Sequence, residues 1–267
     1  MNKDAQANKL QKITVVTAVL NGRKFIRETI ESVLSQNGNF ELEYIIRDGE
    51  STDGTLEIIE EYKDRLTVVS KRDGSPQEAI NAGFEMASGD ILCWLNADDL
   101  FEPNALSIAM QNFEKNPSKD WLYGRCSIID FEGNRIQRLV TIYKNLIGYF
   151  YSRHILLCEN FINQPATFWR KDLWLKCNNL STKYKAAWDY ELWLKMSLFS
   201  KPIVVRKYLS RFRRHDESIS ENQFETQFKE ELEIGKMYGK PIHNIIHEFN
   251  RIKIVTIYKL MNWLKAN

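Results

Sequence analysis

The sequence predicts an α/β protein: a mostly parallel central sheet with helices on both faces and further helices at the C-terminus. Three observations carry this. Short β-rich runs alternate with segments of helical apolar spacing across residues 13–99. Three of the four predicted strands end in polar or turn-forming residues, as strands do at the rim of an open sheet. The chain has 267 residues, 43% of them hydrophobic, which suits one large core or a domain with an appendage.

The elements follow in order. Ile13–Leu20, "ITVVTAVL", reads as a first strand, and Phe25, Ile26, Ile30, Val33 and Leu34 recur at helical spacing after it. "LEYIIRD" is a second strand ending at Asp48, and "STDGTLEIIEEYKDRL" opens with turn residues and becomes helical. "LTVVS" is a third strand. "SPQEAINAGFEMA" is a helix with Ser75 as its N-cap and Pro76 in its first turn, and "GDILCWLN" is a fourth strand. Beyond residue 100 the alternation loosens. "WLYGRCSIIDFEGNRIQRLV" reads as two strands around Glu132-Gly133-Asn134, while residues 144–160 fit no single period. "AWDYELWLKMSLF" reads as an amphipathic helix and "PIVVRKYLSRFRRH" as a strand running into basic residues; two helices split near Gly239-Pro241 close the chain. The expected organisation is a polar tail over 1–12, a catalytic-type domain over 13–220 (halves 13–99 and 100–220) and a helical extension over 221–267.

Composition excludes several classes. A formal net charge of +2 argues against a nucleic-acid binder. Cys93, Cys126, Cys158 and Cys177 are scattered with no CxxC pair, so structural zinc is not expected and free thiols in a reducing cytoplasm are. The N-terminus is polar, without the apolar stretch of a signal peptide, and no run reaches the roughly 18 apolar residues of a spanning helix.

Ligands of open α/β sheets bind beyond the carboxyl ends of the strands. Here those ends read Leu20-Asn21-Gly22, Asp48-Gly49-Glu50-Ser51-Thr52-Asp53-Gly54 and Asn96-Ala97-Asp98-Asp99. Several acids would share one rim with no basic partner between them. A divalent cation with a phosphorylated ligand would relieve that repulsion, and Mg²⁺ and Mn²⁺ prefer such oxygen ligands.

"TAVLNG", "IIRDGESTDGT", "RDGSPQEAINAGFEMASGDILCWLNADD" and "WDYELWLK" resemble the successive motifs of family 2 glycosyltransferases, over roughly residues 13–215. The resemblance implies the GT-A fold, a nucleotide-sugar donor (a UDP-sugar first) and Mn²⁺ or Mg²⁺. The nearest likeness is to bacterial enzymes of O-antigen and surface-polysaccharide synthesis. It implies that Thr17, Ala18, Val19 and Asn21 line the donor pocket, that Asp48 pairs with the base, and that Asp73 belongs to the donor loop. Asn96-Ala97-Asp98 stands in the D-x-D place, with Asp98 and His215 as metal ligands. Asp189 matches the catalytic base of an inverting transfer; Asp99, Gln164 and Trp188 are expected near the acceptor, a saccharide or lipid-linked saccharide. This chain departs from the pattern at Asn96, Ala18, Leu20 and Arg47.

Plainer readings stand beside these. Asp48 and Asp73 can serve turns, and Asp53 can cap the helix after it. Glu191 is the rival to Asp189, and Arg211, Arg213 and Arg214 around His215 can be a solvated strand end or a diphosphate clamp. The tryptophans belong to the core before they stack on a sugar. The last helix, apolar with interspersed Arg251, Lys253, Lys259 and Lys265, suits an interfacial helix on the inner membrane, a homodimer contact, or packing on the enzyme's own core. No GxGxxG or GxxxxGK[ST] appears, which removes dehydrogenases and P-loop enzymes; a nucleotidyltransferase and an inactive nucleotide-sugar-binding scaffold remain as alternatives.

Overall fold

A computed structural model of the protein describes residues 11–136, 138–215 and 224–266. Most of the expected tail 1–12 and the boundary at 220/221 lie outside the described residues, as do the side chains of 253–255 and 257–267.

The first half alternates as its periodicity requires. Strand β1 (Lys12–Val19) is followed by α1 (Ile26–Leu34), β2 (Glu41–Asp48), α2 (Thr55–Glu60), β3 (Thr67–Ser70), α3 (Pro76–Met86) and β4 (Ile91–Trp94). These strands pair in parallel in the order β3-β2-β1-β4, with Val19 beside Asp48 and Asp48 beside Ser70. The period of two divides the core: Ile13 and Val15 pack with α1 on one face, and Val16 packs with Ile80 and Phe84 of α3 on the other. Ser75 caps α3 as expected, its Oγ accepting from Glu78 N at 3.2 Å.

The second half brings β5 (Leu100–Phe101), α4 (Ala105–Lys115), β6 (Trp121–Ile129), β7 (Arg135–Ile136), α5 (Arg138–Ile147) and α6 (Arg153–Leu156). A 3-10 turn (Gln164–Ala166) then leads into β8 (Thr167–Arg170), α7 (Lys171–Cys177), α8 (Trp188–Phe199) and β9 (Ile203–Arg213). The sheet continues from β4 through β8, β6 and β9 to β5; β8 runs antiparallel to both neighbours and β6 parallel to β9. Residues 144–160, which fit no single period in the sequence, hold the end of α5 and all of α6.

Helices α9 (Phe224–Tyr238) and α10 (Pro241–Ala266) break near Gly239 as expected, and α9 packs on both α8 and α10. This changes the reading of α8. The expected amphipathic helix is buried all round from Tyr190 to Leu194, because α9 covers the side that would otherwise meet water. Trp94, Trp121, Trp169 and Trp193 are core residues, stacked or edge-on to one another with centroids 5.3–6.2 Å apart.

Candidate active site

Three strand ends meet at the rim. After β1, Asn21 takes a left-handed backbone (φ 54°) and is tied to the neighbouring loop: its side-chain Oδ1 accepts from Thr52 N at 2.9 Å and its backbone N–H donates to Ser51 Oγ at 2.8 Å. Thr17 is fully buried, donating to Leu95 O at 2.8 Å beside the Tyr44 hydroxyl. Val19 is buried as well, and Ala18 is half-buried at the mouth.

Asp48 ends β2 with no exposed surface. Its carboxylate accepts from Ser70 Oγ at 2.6 Å and from the N–H groups of Glu50 and Ser51, each at 3.2 Å, and so shapes the turn that follows. Asp53 is structural too, accepting from Thr55 N and from Arg23 N at 3.0 Å each. Asp73, expected in the donor loop, has a basic partner. Arg47, 6% exposed, forks onto it with Nη2 3.0 Å and 3.2 Å from the two carboxylate oxygens. A buried guanidinium needs such a partner, and the departure at position 47 supplies one.

The turn after β4 divides its two adjacent acids. Asp98 points outward, half-exposed, and its Oδ2 lies 3.0 Å from His215 Nε2. Asp99 is fully buried, its Oδ1 accepting from Arg213 N at 2.9 Å and its Oδ2 from Asn96 Nδ2 at 3.0 Å. Burial, reinforced by the Asp98 charge, pushes the Asp99 carboxyl well above the usual carboxylate range. This corrects the expectation of a sugar or acceptor contact by Asp99, whose carboxylate has no surface to offer. The Asn96 amide also reaches Gln164 Oε1 at 3.2 Å, and Gln164 is tied to Trp94 O at 2.8 Å. Trp188 stacks on Trp94 with centroids 5.2 Å apart and stays half-buried.

The basic strand end is mostly consumed inside. Arg213 is fully buried: Nε donates to Asp98 O at 3.0 Å, Nη1 to Phe131 O at 2.7 Å and Asp130 O at 3.3 Å, and Nη2 to Glu28 at 2.7 Å. Arg211 pairs with Glu102 at 2.7 Å. Of the three arginines read as a solvated strand end or a diphosphate clamp, Arg211 and Arg213 are thus engaged within the protein, and Arg213 fastens the 98–99 turn to the 130–131 turn. Only its place in a basic run was visible in the sequence; its partners lie 82 to 185 residues away.

Asp189 sits in the first turn of α8, half-buried. Burial pushes its carboxyl up to about 6, against the pull of its bond from Tyr190 N at 2.7 Å and of the Lys144 charge. Glu191, the rival, is buried 3.3 Å from Lys195 one turn on. Among the described residues no group of three or more His, Cys, Asp and Glu side chains is placed to hold a metal ion. Asp98 and His215 nevertheless fit one as a two-ligand set, since Mg²⁺-type ions commonly take one or two protein ligands and complete their shell with phosphate and water.

A family model described as Glycosyl transferase family 2 matches residues 14–177, more than half of the chain. The chain is 28% identical over 177 residues to a chondroitin synthase of Escherichia coli, an alignment covering 62% of this chain and 24% of that one. Among solved structures, the Staphylococcus aureus TarS 1–349 complex with UDP-GlcNAc superposes with a TM-score of 0.63 at 20% identity, over 84% of this chain and 66% of that one. A mannosyltransferase of Pyrobaculum calidifontis in complex with GDP-Man and Mn²⁺ reaches 0.67 at 16% identity, over 90% and 69%. At these identities the structural likeness speaks for the fold. The curated relatives are longer proteins: the chain spans 24% of the synthase and 21% of an uncharacterized glycosyltransferase of Rickettsia felis, 29% identical over 47% of this chain.

Proposed function

The chain belongs to glycosyl transferase family 2, and we propose that it moves a sugar, with inversion, from a UDP-sugar to a saccharide or lipid-linked saccharide acceptor in bacterial surface-polysaccharide synthesis. The observation that carries this reading is the outward-facing Asp98–His215 pair at the carboxyl end of β4, in a chain whose fold is shared with nucleotide-sugar complexes. Bound there, Mg²⁺ or Mn²⁺ would offset the charge that grows on the departing diphosphate. Asp98 and His215 are the residues to hold it.

The rest of the chemistry belongs to the protein's own groups. The backbone of Thr17–Val19 and the turn shaped by Asp48 form the wall for the base and ribose. Asn96 faces the same rim with an uncharged amide able to bond a hydroxyl. Asp189 accepts the proton of the acceptor hydroxyl as it attacks the anomeric carbon. With its carboxyl raised to about 6, it is ionised at neutral pH yet more basic than an ordinary aspartate, as a general base should be. Attack opposite the leaving group inverts the stereocentre without a covalent intermediate. Gln164 and Trp188 flank that side.

No helix among the described residues is long and apolar enough to cross a membrane. One face of α10 nevertheless exposes Ile242, Ile245, Phe249 and Ile252, with Lys236 and Lys240 exposed at the same hairpin. This supports peripheral contact with an anionic membrane surface, where a lipid-linked acceptor would be presented.

The test is donor binding by thermal shift, with UDP-GlcNAc, UDP-glucose, UDP-galactose and GDP-mannose, each with and without Mn²⁺. A ligand that binds only the folded state raises its melting temperature. A UDP-sugar is expected to do so in Mn²⁺, and Asp98→Asn should abolish the metal-dependent part while the unliganded melt is unchanged. A shift indifferent to Mn²⁺ and to Asp98→Asn would remove Asp98 from the metal site; preference for GDP-mannose would overturn the uridine donor.

A further inference from the structure

Strands β6 and β9 run parallel but do not stay in step. Tyr123 faces Val204 and Arg125 faces Tyr208, so β9 carries two extra residues opposite Gly124, and a third before Ser210, which faces Cys126. Such bulges bend a strand and re-aim its side chains. Gly124 makes room for this one: a Cβ there would lie 2.4 Å from Leu209 Cδ1. Between the bulge and the end of α5 a cleft opens, floored by Tyr123 and Phe161. The Tyr123 hydroxyl donates to Gly148 O at 2.6 Å and so ties the floor to the turn after α5.

Three cations border this cleft. Arg125 of β6 and Lys144 of α5 are half-buried, and Arg206 of the bulge is exposed. The Arg206 guanidinium lies 3.9 Å from the centroid of the Tyr149 ring. Stacking orients a guanidinium yet uses none of its five N–H donors. Among the described residues none of the three cations has an ion-pair partner, and the side-chain amides of Asn145 and Asn163 in the same cleft make no hydrogen bond. Cations drawn together and partly out of water repel one another unless an anion joins them. Size narrows the anion. The enclosed part measures about 10 Å³, room for one water-sized group. A sugar ring does not fit, whereas a phosphoryl group can seat one oxygen there and leave the others to the cations at the mouth.

The cleft adjoins the acceptor side of the site. Asn163 directly precedes Gln164, which is bonded to Asn96 and to Trp94 O at the rim. The Lys144 charge also acts on the Asp189 carboxyl. We propose, on the reading that a sugar is transferred to an acceptor beside Gln164, that this cleft is the acceptor's phosphate subsite, in which Arg125, Lys144 and Arg206 bind a phosphoryl group that the acceptor carries. That group belongs to a lipid diphosphate or to a phosphodiester within a saccharide chain. A lipid has apolar surface at hand: Phe150 lies edge-on to Tyr149, with centroids 4.5 Å apart, and is exposed, as are Ile142 and Leu146 of α5.

The subsite can be read without turnover, by ¹⁵N NMR of the full chain titrated with inorganic phosphate at constant ionic strength, with and without UDP and Mn²⁺. The amides of Gly124, Gly148 and Val205 should shift in both conditions. Arg125→Gln/Arg206→Gln should weaken this binding by at least about tenfold, and Arg206→Gln alone, at an exposed position, carries the test should the double variant fail to fold. Lys207→Gln removes an exposed cation from the same bulge but outside the cleft, and should change the affinity by less than about twofold. No shift at those three amides, or an equal loss in Lys207→Gln, overturns the subsite. Glucose 1-phosphate should add a shift at the Gln164 side-chain amide; shifts confined to the cleft overturn its role for the acceptor. Farnesyl diphosphate separates the sources: binding about tenfold tighter than phosphate, with shifts at Ile142 and Leu146, assigns the lipid diphosphate, and binding no tighter assigns the phosphodiester. Failure of the transferase reading looks different, since UDP would then shift nothing while the phosphate response persisted.

Discussion

Arg213 offers a test of how the rim is held that depends on no substrate. Arg213→Met keeps most of the aliphatic stem and the packing against the Phe25 ring, 4.6 Å from the guanidinium, but removes every side-chain donor. Two backbone carbonyls, of Asp98 and Phe131, lose the partner that the fully buried Arg213 side chain gives them, while Asp130 O keeps its bond from Gly133 N at 3.1 Å. Each such loss costs roughly 1–3 kcal/mol, less when neighbouring groups can relax together. The Glu28 pair adds little, because that carboxylate is more than half exposed. The expected loss is therefore about 4 kcal/mol, which for a chain of this size lowers the melting temperature by about 10 °C. Arg213→Lys should recover only a fraction, since an ammonium cannot serve three carbonyls in the plane of a guanidinium fork. Urea unfolding followed by far-ultraviolet circular dichroism, with unchanged denaturant dependence, measures both. A loss under about 1 kcal/mol in the methionine variant, or full recovery by lysine, would refute Arg213 as the fastener of the 98–99 turn.

Three further outcomes are expected. Asp189→Asn should cut turnover roughly 10²–10⁴-fold with donor binding little changed, whereas Glu191→Gln should cut it less; the reverse order in steady-state rates would move the base to Glu191. Glu231, raised from 4.5 to about 7 chiefly by burial, binds more protons in the folded than in the unfolded state between those values. Stability should therefore fall as pH rises through that window, by up to the order of 3 kcal/mol, and Glu231→Gln should flatten the curve and melt higher than wild type at pH 8; an unaltered pH profile would contradict this. Sedimentation with phosphatidylserine vesicles should show weak binding that fades with salt and is lost in Ile245→Glu/Phe249→Glu, both exposed positions; binding indifferent to that double change would rule out α10 as the contact.

What the sequence makes legible here is local. The period-two and helical runs up to residue 99 specify their elements because each buries a face against its nearest neighbours, and the end of β4 marks Asp98 because a strand so apolar stops so abruptly. Residues whose meaning comes from distant partners are not legible. Arg47 stands out as a departure, but its pairing with Asp73 spans 26 residues across two loops. Arg213 reads as one basic residue among several, and nothing local says that it turns inward. Glu230 and Glu231 look like the solvated face of a tail helix. They acquire roles, Glu230 as acceptor of the N–H groups of Lys185, Ala186 and Ala187 and Glu231 as a buried carboxyl, only because α9 folds back over α8, which read in the sequence as an amphipathic helix with a face left for water.

The pairing of Asp98 with Asp99 at the end of a buried strand now has a physical account. Two adjacent carboxylates repel, and the turn resolves this by sending them to opposite sides. Asp99 goes in, where burial and its neighbour's charge favour its neutral form and where Arg213 N and Asn96 supply donors. Asp98 goes out beside His215 and keeps 26% of its side chain exposed. Asn96 belongs to the same solution. An aspartate there would set a third carboxylate against Asp99 and withdraw the Nδ2 donor that Asp99 now accepts at 3.0 Å. It would also lose the bond to Gln164, which fixes the rim to the Trp94 backbone. The uncharged residue in the first place of the motif thus matches a site that concentrates its charge on one outward acid and buries the other.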